Sequence, residues 1–155
     1  MSDAESIKKL FTIEEANAML PLVRAIATDL ATLSREVIER RERLATLHNN
    51  RKPSKSQDAY SEELAQIEDE LTKDSERLHE YVEELRALGV EPKNGPEGLI
   101  DFPCRMDGRI VYLCWKLGES EILHWHELDA GYRGRQALFA ESISGDGSEA
   151  GDQEN

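Results

Sequence analysis

From Phe11 onward the apolar positions recur at helical spacing. Leu20, Val23, Ala27, Leu30, Val37 and Leu44 follow alternating steps of three and four, the seam of a coiled coil, with Ser34 and Arg41 interrupting it. Thr12 and Glu15 form a capping-box pattern, with Phe11 and Ala16 placed as a hydrophobic staple. Pro21 lacks an N–H and clashes with the preceding turn, so the spacing predicts a short helix over about 12–19 and a fresh start that runs to about 48. Residues 49–57 are polar, contain Pro53 and carry three net positive charges, which marks a turn. A second helix over about 58–88 is carried by Leu64, Ile67, Leu71, Leu78, Tyr81 or Val82, Leu85 and Leu88, and Gly89 followed by Pro92 ends it. Folding the arms about residue 54 sets Leu44 by Leu64, Val37 by Leu71, Leu30 by Leu78 and Val23 by Leu85.

After Gly89 the period changes to two. Residues 99–105, 109–116 and 121–127 read as three short strands rich in β-branched and aromatic side chains. Asp107-Gly108 is a type I′ hairpin turn, which places Phe102 opposite Leu113, Cys104 opposite Val111 and Asp101 opposite Cys114. Pro103 confines the first strand to a sheet edge. A three-residue loop, Gly118-Glu119-Ser120, keeps Leu123 and Trp125 on the face of Ile100, Phe102, Cys104, Val111, Leu113 and Trp115, because a one-residue slip would reverse the whole third strand. The expected fold is α+β, a long antiparallel coiled-coil-like helical hairpin followed by a small three-stranded antiparallel β-meander. One domain covers 1–140, with the hairpin at 12–88 and the meander and its turns at 89–140.

Charge adds three constraints. The 155 residues carry 32 acids against 19 bases, a formal charge of −13, which disfavours nucleic acid as a partner. Residues 58–88 are acidic, and Arg35, Arg40, Arg41 and Arg43 on the first arm should lie beside Glu62, Glu63, Glu68, Asp69 and Glu70 as exposed pairs of small energy. Residues 141–155 hold acids and glycines with almost nothing apolar, the composition of a disordered tail. No stretch approaches the roughly 20 apolar residues of a membrane span, and the first ten residues lack a signal-peptide core, so the expectation is a cytoplasmic protein without a membrane partner. Cys104 and Cys114 are expected as free thiols, and their spacing excludes a four-cysteine zinc site within one chain.

The face opposite the apolar one carries the candidate chemistry. Asp101, Cys114, His124 and His126 share it with Tyr112, and a strand that places two histidines at i and i+2 beside a carboxylate and a thiol offers ligands for a divalent metal, zinc or iron. Glu119, Glu127, Arg133 and Arg135 would then surround the site as supporting or anion-binding groups, with Gly131 and Gly134 turning the two arginines back toward the sheet. The same cluster also reads as histidines tied structurally to backbone or to Glu119, as an anion site, or as a Cys114 nucleophile with His124 as base. Phosphate-loop, dinucleotide, serine-hydrolase and zinc-protease signatures do not occur in the sequence.

The segments FTIEEANAMLP, GLIDFP, VYLCWKLGE, ILHWHE and GYRGR resemble the bacterial and archaeal family called domain of unknown function 2203, over about residues 11–138. The resemblance implies the fold and no mechanism. Its motifs concentrate at the sheet and its turns, which makes the sheet the expected functional end. Two functions follow as expectations. One is a non-enzymatic self-associating or protein-interaction module, a homodimer, motivated by Ile26, Leu33, Ile38 and Leu47 lying off the intramolecular seam. The alternative is a metal- or ligand-binding protein, including a metal-dependent enzyme, that uses the polar sheet face.

Overall fold

The structure, a computed structural model, describes Ile7, residues 9–49 and residues 57–139. Of the turn expected at 49–57, residues 50–56 lie outside the described residues, as does the tail at 141–155. Helix α1 is Ile13–Asn49 and helix α2 is Gln57–Ala87. The capping box forms as the sequence implies: Thr12 N donates to Glu15 Oε1 and Glu15 N to Thr12 Oγ1, both at 3.0 Å. Pro21, however, does not divide the first arm, and α1 passes through it unbroken. Its ring is on the exposed side while Leu20 and Val23 are buried, so the packed face continues across the missing N–H.

The arms pair antiparallel, as Arg43–Glu63 at 3.0 Å, Arg40–Glu70 at 3.7 Å and an Arg40–Asp74 ion pair record. Gly89, at φ 96°, closes α2 with a Schellman pattern in which Val90 N donates to Leu85 O and Gly89 N to Arg86 O. Val90 and Leu85 are both buried beneath that turn, so the cap also delivers the chain to the sheet.

The sheet is antiparallel and has five strands in the order β1-β2-β3-β4-β5: β1 Glu91–Asn94, β2 Leu99–Met106, β3 Arg109–Lys116, β4 His124–His126 and β5 Gln136–Ala137. Two of these were missed in the sequence, because EPKN contains a proline and no apolar alternation and β5 has only two residues. Their presence also corrects the placement of Pro103, since β2 is an interior strand. Proline is accommodated because β1 reaches only as far as Asp101, and beyond it Phe11 N donates to Pro103 O at 2.7 Å, so the side of β2 at Pro103 is closed by a carbonyl contact that needs no N–H.

The hairpin turn has the expected positive φ at Asp107 and Gly108, and Met106 stands opposite Arg109. The pairs Leu113–Trp125 and Cys114–His124 fix β4 in the expected register. Trp115 and His124 therefore occupy opposite faces. Between β3 and β4 the chain departs from strand geometry: Ile122 N donates to Asn17 Oδ1 at 2.8 Å, which ties this connection to α1 and buries Ile122 where Leu123 was expected to do the packing.

The core lies between α1 and the sheet. Phe11, Leu20, Val23, Ala27 and Leu30 meet Ile100, Phe102, Val111, Leu113 and Trp115, and Leu85 joins from α2. The Phe11 and Phe102 rings meet edge to face at 5.3 Å. Among the described residues no helix is long and apolar enough to cross a membrane. Leu85 is fully buried whereas Leu22 is 49% exposed. Leu85→Ala should therefore cost about 2–5 kcal/mol in urea unfolding and Leu22→Ala about 0.5 kcal/mol or less. Equal losses for the two variants would contradict this placement of the core.

Candidate metal centre

Antiparallel pairing sets Asp101 of β2 opposite Cys114 of β3, and Cys114 opposite His124 of β4. His126 stands opposite Tyr112, two residues along the same face. This face, turned away from the helices, is nevertheless closed: Asp101, Cys114 and His126 are 1%, 0% and 2% exposed. The cover is the segment that follows β4. It contains the 3-10 turn Tyr132–Gly134 and returns as β5, with Leu138 N donating to Leu123 O at 2.9 Å. Arg135 anchors it. Its Nη2 donates to Glu119 Oε2 at 2.6 Å, and its guanidinium lies 4.4 Å from the Tyr132 ring centre.

The donor atoms of Asp101, Cys114 and His126 lie within 4.8 Å of one another. His126 Nδ1 donates to the Glu127 carbonyl at 2.7 Å, which fixes the ring and turns Nε2 toward Asp101 Oδ2 at 3.0 Å. Burial pushes the imidazole pKa down. Hydrogen bonds to Asp101 and Cys114, the Glu127 carbonyl and the charge of Asp101 push it up more strongly, to about 10. In the metal-free state near neutral pH, Nε2–H therefore donates to the carboxylate as half of a buried ion pair. Cys114 is a hydrogen-bonding neighbour of both His126 and Arg135. Asp101 Oδ1, an acceptor, and Arg135 Nη1, a donor, are buried without a hydrogen-bond partner among the described residues.

Of the sequence candidates, then, three converge. His124 shares the face as the cross-strand neighbour of Cys114 but stands outside the 4.8 Å group. Glu119 helps to close the site without touching the three: Oε1 accepts from Lys116 N at 3.0 Å and its carbonyl accepts from Trp115 Nε1 at 2.9 Å. The Glu127 side chain is engaged elsewhere, by Arg109 at 3.1 and 2.5 Å, and those hydrogen bonds hold its carboxyl below the usual range. The part of Glu127 that serves the site is its backbone. Arg133 is exposed, while Arg135 turns inward. Tyr132 was missed as part of the cover, although its position between Gly131, at φ 72°, and Gly134 gave a usable signal. The thiol is fully buried, so a nucleophilic role for Cys114 has no path for a substrate in this closed form.

A raised pKa in the folded state means that the folded chain binds more protons than the unfolded one between about pH 6.5 and 10. The contribution of His126 is complete below about pH 6.5 and is lost as pH rises through about 10. Facing it are Asp101 from β2 and Tyr112 and Cys114 from β3. Metal-free protein should lose stability toward pH 9.5 with a slope of up to about 1.4 kcal/mol per pH unit, measured by urea unfolding. Asp101→Asn, which removes the carboxylate, should flatten that slope. An unchanged slope in the variant would show that the pair is not its source.

Neither a curated protein nor a solved structure matches this chain. A family model does, across residues 9–138, a span that includes both helices, all five strands and every residue of the centre. By that match the chain belongs to the family described as "Uncharacterized conserved protein (DUF2203)".

Proposed function

We propose that this protein binds a divalent transition metal, zinc foremost, through Asp101, Cys114 and His126. The observation that carries the reading is the convergence of a carboxylate, a thiol and an imidazole from three adjacent strands to within 4.8 Å in a fully buried place. Bonds of 2.0–2.3 Å around a tetrahedral ion set donor atoms about 3.5 Å apart, so the three need to close by up to about 1.3 Å. Asp101 Oδ1 supplies an acceptor that has no other partner, and the Glu127 carbonyl on Nδ1 is the support that a metal-bound histidine requires to present Nε2. The sulfur ligand favours zinc or iron over magnesium or calcium.

The assembly reading is supported by less. Of the four positions that motivate it, Leu33 is 3% exposed and Ile26 packs against the core, Leu47 is half-buried, and Ile38 remains at 43% exposure. Self-association would therefore have to use a narrower apolar surface than the sequence suggests.

Protein produced without an affinity tag and analysed by elemental mass spectrometry should contain about one equivalent of zinc or iron. Cys114→Ser removes the strongest zinc ligand with little change of volume, and it should lower the occupancy at least about tenfold while the helical circular dichroism is kept. Wild-type protein that neither carries metal nor takes up added zinc would overturn the reading, as would full occupancy in Cys114→Ser.

A further inference from the structure

Arg135 is not explained by a three-ligand metal site alone. A guanidinium is always charged, and leaving one of its N–H groups in the interior without an acceptor is unfavourable. Here Nη2 is held by Glu119 and the plane is stacked on Tyr132, so the side chain is locked in place while Nη1 stays buried and unmatched. The same guanidinium is a neighbour of Cys114. Three protein ligands also leave a tetrahedral ion one position short.

We propose, resting on the metal reading above, that Arg135 makes the centre a binding site for a small carboxylate, which takes the metal's fourth position and accepts a hydrogen bond from Nη1. One carboxylate answers both deficits: one oxygen ligates the metal and the other receives the orphaned donor. Charge also selects the class. A phosphate would bring a second negative charge beside the Asp101 carboxylate and the Cys114 sulfur, whereas a monoanionic carboxylate has one oxygen for the metal and one for Nη1. Because the three ligands are 0–2% exposed, the anion enters by displacement of the cover. That cover is held by the two residue pairs of β5, by Leu138, which donates to Leu123 O and packs against the core, by Arg135 on Glu119, and by Tyr132 with the cations of Lys116 and Arg135.

Cobalt(II) tests both layers separately, since its visible absorption reports the ligands of a tetrahedral site. The full chain loaded with one equivalent of cobalt is titrated with sodium acetate, with sodium chloride at equal ionic strength as the control. A saturable change in the cobalt bands with acetate and not with chloride is expected. In Arg135→Gln the cobalt stoichiometry is kept while the acetate midpoint rises by about tenfold or more, the loss of one charge-assisted hydrogen bond. Arg135→Lys, which keeps the charge and loses the fork, should fall between the two and serves if the glutamine variant does not fold. Cobalt bands indifferent to acetate in the wild type overturn the anion site and leave the metal reading standing. An equal midpoint in wild type and Arg135→Gln, each with one equivalent of cobalt, overturns the role of Arg135, which a purely structural anchor would predict. Failure of cobalt to bind at all overturns both proposals.

Discussion

A charged imidazole in a protein interior requires a fixed anion, and the sheet end of this chain is organised around that requirement. His126 is 2% exposed, and hydrogen bonds and the charge of Asp101 outweigh burial to push its pKa up to about 10, which favours the cation while no metal is bound. Asp101 meets it two strands away on the same face, 3.0 Å from Nε2, and the Glu127 carbonyl takes the other ring proton. Removing one member of such a pair leaves an uncompensated charge, at a cost of about 3–5 kcal/mol, so β2 and β4 are held in register by electrostatics as well as by β3 between them. The two faces of the sheet are thus stabilised differently. One is closed by apolar packing against α1, the other by a polar cluster under a short cover.

That asymmetry divides the labour within the chain. The helices supply burial: Leu20, Val23, Ala27 and Leu30 present a continuous apolar row to the sheet, and α2 braces α1 from outside through Leu85 and the ion pairs of Arg40 and Arg43. Among the described residues no cluster of metal-ligating side chains forms on this side. The polar face has few apolar contacts to offer, yet it collects the carboxylate, thiol, imidazole and guanidinium that could do chemistry. A two-residue strand and a stacked tyrosine close it. A scaffold of this kind sets its candidate ligands on strands and closes them with a short element.

Much of this was legible in the sequence where periodicity and turn chemistry speak with one voice. The Thr12–Glu15 box, the Gly89 cap and the Asp107-Gly108 turn each occur as their residues require, and the alternation of 109–116 fixed which side chains share a face. That parity alone grouped Asp101, Cys114, His124 and His126. What remained hidden depends on tertiary partners. Pro21 reads as a break because the local rule does not see that its ring is turned to solvent. The strands β1 and β5 exist only as additions to ladders already formed. The separation of His126 from His124 is decided by the Glu127 carbonyl and the reach of Asp101, which no spacing encodes. Arg133 and Arg135 look equivalent in GYRGR, and only Glu119 and Tyr132 distinguish them.

The proposed centre stands or falls on the atoms that would surround a bound ion. X-ray absorption at the zinc edge of the zinc-loaded protein reads them directly: the fit should give one sulfur at about 2.3 Å and two or three nitrogen or oxygen ligands at about 2.0–2.2 Å. A first shell made of nitrogen and oxygen alone would contradict the account, since Cys114 would then lie outside the site and the convergence of the three side chains would serve only the ion pair.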